Sequence, residues 1–324
     1  MRDHGGDIDR AKARYGGVDW LDLSTGINPV PYPVGAFPDH SLSTLSTTTD
    51  ITALEALAAR AYGTKAAVTA LNGAQAAIQL IPRLKAQGRA RVVTPTYNEH
   101  SGALRDQGWT VEEVPEPQGL AGADIGIVVN PNNPDGRIWS PGELKALSEN
   151  VGLLVVDESF ADPHPECSLA PALAELGERV VVLRSFGKFY GLAGLRLGFA
   201  LGGPETIARL RGLAGPWAVS GPAIAVGRRA LDDRSWQDRT VRRLTADATR
   251  LDALALEAGW RLVGGTALFR TYDTNDAPAA RDRLARAGIW TRIFPYSTRW
   301  IRIGLPGSKP AWSRLSAALT RGGE

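Results

Sequence analysis

Arg184-Ser185-Phe186-Gly187-Lys188-Phe189-Tyr190-Gly191-Leu192-Ala193-Gly194-Leu195-Arg196-Leu197-Gly198-Phe199 is the stretch on which the reading of the 324-residue chain turns. A serine three residues before a lysine, with an arginine eight residues after it, suits a cofactor that carries both an aldehyde and a phosphate. The amine of Lys188 forms a Schiff base with the aldehyde, while the Ser185 hydroxyl and the Arg196 guanidinium hold the phosphate. A guanidinium presents a rigid fork of donors that matches phosphate oxygens, which gives Arg196 a purpose in this loop. The competing reading, a surface lysine in a glycine-rich loop, is weighed against what the flanking segments supply.

Outward from this stretch, short apolar runs alternate with helix-like segments. Residues 125–129, 153–156 and 180–183 read as buried strands, with Val92-Val93 and residues 197–201 as further candidates. Ser140-Pro141-Gly142-Glu143 sets a capping serine, a first-turn proline and a third-position glutamate in order, which starts a helix. Asp50 is read as an N-cap, followed at helical spacing by Leu54, Leu57, Ala58 and Ala61 until Gly63. Residues 74–84 read as one helix that Pro82 shortens. This alternation predicts an α/β fold with a large, doubly wound, mostly parallel sheet. Past residue 220 it predicts a smaller α/β domain: a helix over 236–258, strands over 261–272, 289–294 and 300–305, and helices over 278–287 and from 311. Residues 1–40, rich in Gly and Pro, read as an arm without regular structure, leaving 41–220 as the large domain and 221–324 as the small one.

Composition narrows the class. A hydrophobic content of 44%, a charged content of 22% and a net charge of +3 are ordinary for a soluble globular protein. No block of like charges marks a nucleic-acid arm or a membrane-binding patch, and Arg239, Arg242 and Arg243 read as a solvated helix face. The single cysteine, Cys167, rules out an intramolecular disulfide and multi-cysteine zinc sites, so no metal site is expected. The first residues lack the apolar run of a secretory signal, and no run is long enough to span a bilayer. A cytoplasmic location is expected, with no nucleic acid and no membrane as partner.

Pyridoxal 5'-phosphate needs an amine, an acid that keeps its ring nitrogen protonated, a phosphate cradle and an aromatic wall. Lys188 is the amine. Asp157 closes the apolar run Leu153-Leu154-Val155-Val156, where a carboxylate is costly to bury without a cation, and a pyridinium is such a cation. Gly73-Ala74-Gln75 opens a helix whose first amides suit a phosphate. Tyr97 is placed against the cofactor ring, and His100 on the far side of Asp157, holding it ionised. A turn after a strand follows in each case, and ligands of open α/β sheets bind at the carboxyl ends of strands.

The set Gly73-Ala74-Gln75, Pro95-Thr96-Tyr97-Asn98-Glu99-His100, Asn130-Pro131-Asn132-Asn133-Pro134-Asp135-Gly136, Val156-Asp157-Glu158-Ser159-Phe160 and Ser185 through Phe199 resembles fold type I, class I/II aminotransferases in order and spacing. The resemblance implies a fold type I, pyridoxal-phosphate-dependent transferase, with Asn133 on the cofactor's phenolic oxygen and Ser185 and Arg196 on its phosphate. Two positions depart from the pattern: Phe160 stands where many members carry a tyrosine, and residues 43–49 lack the tyrosine that many lend to a partner subunit. His4-Gly5-Gly6, Trp20 through Pro29 and Trp300-Ile301-Arg302-Ile303-Gly304-Leu305-Pro306-Gly307 narrow the likeness to threonine-phosphate decarboxylases of cobalamin biosynthesis, relatives of histidinol-phosphate aminotransferases. That likeness implies decarboxylation of L-threonine O-3-phosphate to (R)-1-amino-2-propanol O-2-phosphate, and a homodimer. It assigns a small phosphorylated amino acid to His4, Gly5, Asn28, Asn133, Arg292 and Arg302, the two arginines clamping phosphate and carboxylate. Lys188, Asp157 and Tyr97 carry the chemistry. The alternatives are an aminotransferase acting on histidinol phosphate or a similar amino acid, and a binding module that has kept the fold without the reaction. A nicotinamide site is disfavoured because no Gly-x-Gly-x-x-Gly follows the first expected strand.

Overall fold

The computed structural model describes residues 4–320; residues 1–3 and 321–324, the outer ends of the arm and of the small domain, lie outside them. Its contacts divide the chain after Pro31 and after Trp236, whereas the sequence placed divisions at residues 40 and 220. One unit joins Tyr32–Asn133 to Ile138–Trp236; the other joins Met1–Pro31 to Pro134–Arg137 and Gln237–Glu324.

In chain order the elements begin with α1 (Ile8–Tyr15) and β1 (Leu21–Asp22). There follow α2 (Thr48–Ala61), β2 (Ala67–Leu71), α3 (Ala74–Leu80), β3 (Arg89–Val93), α4 (Glu99–Asp106), β4 (Thr110–Val114) and β5 (Ile125–Val129). Next come α5 (Pro141–Ser148), β6 (Leu154–Asp157), α6 (Leu173–Leu176), β7 (Val180–Ser185), β8 (Gly198–Gly202), α7 (Pro204–Ala214) and α8 (Gly221–Asp232). The chain continues with α9 (Arg234–Glu257), β9 (Arg261–Thr266), β10 (Phe269–Asp273), α10 (Ala277–Arg286), β11 (Ile289–Trp290), β12 (Arg292–Phe294), β13 (Ser297–Gly304) and α11 (Lys309–Thr320).

The larger unit is built on a seven-stranded sheet in the order β2-β8-β7-β6-β5-β3-β4. Only β8 runs against its neighbours, so the carboxyl ends of β2, β3, β5, β6 and β7 share one edge. Every residue of β5, β6 and β8 is buried, as continuous apolar strands covered on both faces must be. Val92, Ile127, Val155, Val181 and Leu183 pack with Leu104, Trp109 and Ile207 into one core. At the rim, β4 exposes Glu112 and Glu113, charges that discourage further strand pairing. The Ser140 capping box forms as expected. Asp50 is not the N-cap of α2: Thr47 holds that position, and Asp50 is its third-position partner in a capping box. Pro82 does end α3 early, in a short 3-10 turn over Ile81–Arg83. No helix of the described residues is long and apolar enough to cross a membrane.

In the smaller unit β12-β13-β10-β9 form an antiparallel sheet. The expected single strand over 261–272 is a hairpin, because Ala267-Leu268 turns between β9 and β10. The expected strand over 289–294 is likewise two: β11 pairs with β1 and β12 with β13. The arm is not irregular throughout. Helix α1, capped by the Asp7 carboxylate, buries Ala11 against Ala285 and Trp290, and Tyr15 and Trp20 pack on the same cluster. Arg243 is no solvated residue either: it is half-buried and donates to Asn28 Oδ1 (2.6 Å) and to Asp247.

Candidate active site

At the shared edge of the seven-stranded sheet lies a cavity of about 140 Å³. Gly73, Ala74, Gln75, Tyr97, Asn133, Asp157, Ser185, Lys188 and Arg196 all line it, and each follows or ends a strand. The loops are fixed from behind. Thr96 Oγ1 donates to Asn132 Oδ1 (2.7 Å) and Asn132 Nδ2 to Pro95 O (3.0 Å), tying the turn after β3 to the turn after β5. Asn130 is consumed by the backbone: it donates to Trp139 O and Cys167 O and accepts from Trp139 N. That leaves Asn133, three residues on, as the asparagine that meets the cavity.

Asp157 is the electrostatic centre. It is 2% exposed, and Oδ1 accepts from Ser159 N (3.0 Å) and Ser159 Oγ (2.5 Å). Oδ2 lies 2.8 Å from His100 Nε2, and His100 Nδ1 is buried without a hydrogen-bond partner. The ring therefore carries its proton on Nε2, the nitrogen that faces the carboxylate. Burial pushes the carboxyl pKa up, but the His100 and Ser159 donors outweigh it and hold the group below its usual value. Three of the four acceptor positions of an ionised carboxylate are taken, leaving one for a donor in the cavity.

The residues expected to cradle a phosphate, Gly73, Ser185 and Arg196, line the same cavity. Gly73, with φ +77°, precedes α3, and a Cβ there would lie 2.7 Å from Arg196 Nη2. Arg196 adopts a left-handed backbone (φ 53°) and donates from Nη1 to Ala193 O (3.1 Å). Tyr97 donates to Gln75 Oε1 (3.1 Å), and Gln75 Nε2 donates to Glu99 Oε2 (3.1 Å), which fixes the amide's orientation. Lys188 Nζ stands 5.6 Å from the centroid of Phe160, a buried ring that offers no hydroxyl. An amine, an ionised carboxylate with one acceptor position left, a phenol ring and a hydroxyl–guanidinium–amide cradle in one cavity fit pyridoxal 5'-phosphate. Among the described residues no cluster of His, Cys, Asp or Glu fits a metal ion.

Of the residues assigned to substrate, His4, Gly5, Asn28, Arg292 and Arg302 lie in the smaller unit, whereas Asn133 lines the cavity of the larger one. Arg292 and Arg302 are register partners on β12 and β13. Arg302 is 7% exposed and donates to Ser24 O (2.6 Å). Burial first, and then the charge of Arg292, push its pKa down to about 10. Two guanidinia set side by side in a poorly hydrated place are matched by an anion. His4 is exposed, and Gly5 packs on Ser24. Asn28 is 2% exposed, and its Oδ1 accepts from Val30 N (3.0 Å) as well as from Arg243, so its carbonyl serves the protein's own backbone and α9.

Residues that sequence reasoning passed over complete the site. Ser159 supplies two of the three hydrogen bonds to Asp157, and its place two residues after an aspartate was a legible turn signal. Glu99 orients Gln75. Behind the cavity edge, Glu158 is fully buried and accepts from Ser168 Oγ (2.6 Å), Leu169 N (2.6 Å) and Arg184 Nη1 (2.8 Å). Arg184 Nη2 donates to Asp162 Oδ1 (2.9 Å), with Tyr62 beneath the guanidinium at 4.3 Å.

The aminotransferase class I and II family matches residues 18–319. The chain is 44% identical to threonine-phosphate decarboxylase of Pseudomonas aeruginosa, over 98% of this chain and 97% of that one. It is 40% identical to threonine-phosphate decarboxylase of a Sinorhizobium species, again over 98% and 97%. Among solved structures, histidinol-phosphate aminotransferase of Sinorhizobium meliloti in complex with pyridoxal-5'-phosphate is similar with a TM-score of 0.87 and 22% identity, covering 97% of this chain and 93% of that one.

Proposed function

The chain belongs to the aminotransferase class I and II family, and on that footing we propose that it is a pyridoxal-phosphate-dependent decarboxylase of L-threonine O-3-phosphate. The product is (R)-1-amino-2-propanol O-2-phosphate, which places the reaction in cobalamin biosynthesis. The observation that carries the reading is the likeness to threonine-phosphate decarboxylases over 98% of this chain.

When bound, the cofactor supplies an electron sink for the bond broken at Cα. Lys188 would provide the amine that holds the cofactor's aldehyde, and the same amine would serve as proton donor to the substrate's Cα. Asp157, kept ionised by His100 and Ser159, would hold a proton on the cofactor's ring nitrogen. Asn133 would meet the cofactor's phenolic oxygen, Tyr97 would wall its ring, and Ser185, Arg196 and the start of α3 would hold its phosphate. Arg292 and Arg302 take the carboxylate and phosphate of the substrate, with His4 and the arm assisting. Decarboxylation requires that the carboxylate be the Cα substituent presented to the electron sink, so rotation about the substrate's N–Cα bond, which these anion contacts would set, would choose the reaction.

We read the chain as a cytoplasmic homodimer. Leu45 (65% exposed) lines a groove of about 710 Å³ beside α2 and α8, and Leu42 (81% exposed) precedes it on the same loop, a surface suited to a second copy, while the lone buried thiol fits a reducing compartment. Sedimentation velocity tests it: a species of twice the 34.6 kDa chain is expected, and a monomer refutes it. The activity is tested by incubating holoprotein with L-threonine O-3-phosphate and no amino acceptor. Stoichiometric carbon dioxide and aminopropanol phosphate are expected. Turnover that requires a 2-oxo acid acceptor and releases no carbon dioxide would refute the reading in favour of an aminotransferase.

A further inference from the structure

The segment that follows β1 is gripped from two sides within the smaller unit. Leu23 and Ser24 are each 1% exposed. On one flank Gly6 N donates to Ser24 Oγ (2.7 Å), and a Cβ on Gly5 would sit 2.5 Å from Ser24 O, so the arm approaches at a distance that only glycine permits. On the other flank Arg302 Nη2 donates to that same carbonyl (2.6 Å), and Gly304 N donates to Leu23 O (2.8 Å). Asp22 Oδ1 accepts both Ser24 N (2.8 Å) and Ser24 Oγ (2.6 Å). With its proton committed to Asp22, the hydroxyl presents a lone pair to the Gly6 amide.

We propose that Ser24 is a positioning residue that couples the N-terminal arm to Arg302, its hydroxyl seating the arm and its carbonyl aiming the guanidinium. The proposal rests on the reading of Arg302 as a substrate-anion residue and adds how that residue and the arm act together. An anion meets a guanidinium already held in place, so little reorganisation accompanies binding. By linkage, whatever steadies Arg302 steadies the arm through the shared carbonyl, and the reverse holds to the same degree. Asp22 contributes charge as well as orientation, since its carboxylate acts on Arg302 in the sense opposite to Arg292.

Two substitutions separate the parts. Ser24→Ala removes the seat of the arm but keeps the backbone carbonyl. Gly5→Ala pushes arm and carbonyl apart and so disturbs Arg302 too. In holoprotein, hydrogen exchange at the Gly6 amide is followed in a short pulse, with and without excess L-threonine O-3-phosphate, beside steady-state kinetics. In the parent the amide is protected, and substrate slows it further. In Ser24→Ala it exchanges faster and no longer responds to substrate, and KM rises roughly fivefold, the worth of one hydrogen bond, with kcat within about twofold. Gly5→Ala raises KM at least as far. A Ser24→Ala protein whose Gly6 amide exchanges as slowly as the parent's, or whose KM is unchanged, overturns the coupling. Absence of carbon dioxide release by the parent overturns the decarboxylase reading instead, and the unliganded exchange comparison still decides the seat of the arm.

Discussion

Replacing Arg184 by methionine tests the buried charge cluster that backs the cavity. Strand residues alternate in facing, so Asp157 and Ser185 meet the cavity while their neighbours Glu158 and Arg184 meet each other behind it. Asp157 is register partner of Leu183, which makes Glu158 and Arg184 the next step of the same ladder. Their ion pair locks the ends of β6 and β7, and with them the separation of the acid from the phosphate serine. The substitution keeps the bulk and strands the carboxylates of Glu158, fully buried, and Asp162, both of which pair with Arg184 and, among the described residues, with no other cation. Breaking a buried pair by removing one partner costs about 3–5 kcal/mol. At about 2 °C per kcal/mol for a chain of this size, the holoprotein's melting temperature falls by roughly 6–10 °C.

The loss carries a pH signature. Burial already raises the Glu158 and Asp162 pKa values, against an opposing effect of Arg184, and removing that guanidinium sends both further up. A carboxyl whose folded pKa exceeds its unfolded value favours the fold while protonated and loses that benefit as pH rises through the folded pKa. The deficit of Arg184→Met is therefore largest near about pH 8 and narrows toward about pH 5, as the stranded carboxylates take up protons. Glu158→Gln, which keeps the shape of the acceptor and leaves Arg184 paired with Asp162, costs less at every pH. Differential scanning calorimetry of the holoproteins across that range is the assay. A melting temperature within about 2 °C of the parent, or a deficit that widens on acidification, would refute the cluster's role.

Lys188→Ala removes covalent attachment of the cofactor, so borohydride reduction followed by peptide mass analysis finds no adduct, and decarboxylation is lost; an adduct elsewhere with activity retained refutes the assignment. His100→Phe takes the Nε2 donor from Asp157, whose depressed pKa then rises. The protection that ionised Asp157 gives is present above its pKa and lost as pH falls, so the acid limb of kcat/KM moves up by about one pH unit; an unmoved limb counts against the pair. Gly73→Ala places a Cβ at 2.7 Å from Arg196 Nη2 on a left-handed backbone, and cofactor dissociation is expected to rise about tenfold or more, from a strain of the order of 1–3 kcal/mol. An unchanged dissociation constant, read by absorbance titration, excludes Gly73 from the cradle.

What the sequence discloses follows the range of the interactions involved. Lys188, Asp157 and Tyr97 are legible because each sits where a short apolar run gives way to a turn, and the chemistry of those residue types limits what they do there. Strand breaks are less legible: Ala267-Leu268 is apolar, so nothing in the pattern separates β9 from β10, and β12 leaves β11 only because their partners differ. The Thr47 cap was hidden by Asp50, since an aspartate fits both the capping position and the third residue of a capping box. Least legible are pairs fixed by tertiary register alone. Arg184 and Glu158 are 26 residues apart, and Arg302 and Ser24 are 278 apart, with no spacing to betray them.

The division of the chain also divides the question of mechanism. Everything that fits the cofactor lies in the unit built on the seven-stranded sheet, and those residues would serve decarboxylation and transamination alike. On the proposed function they would set the electron sink and its protonation, which both reactions need, and would not choose the bond at Cα. On the proposed function that choice falls to whatever fixes the rotation of the substrate's charged arms, and the residues proposed for its anions, Arg292 and Arg302, belong to the other unit, as does Ser24, which accepts from Arg302. Substitutions in the cofactor cavity should therefore lower both reactions together. A change at Ser24 or Arg302 should alter their ratio, and a variant at either position that loses decarboxylation while gaining acceptor-dependent turnover would locate the choice there.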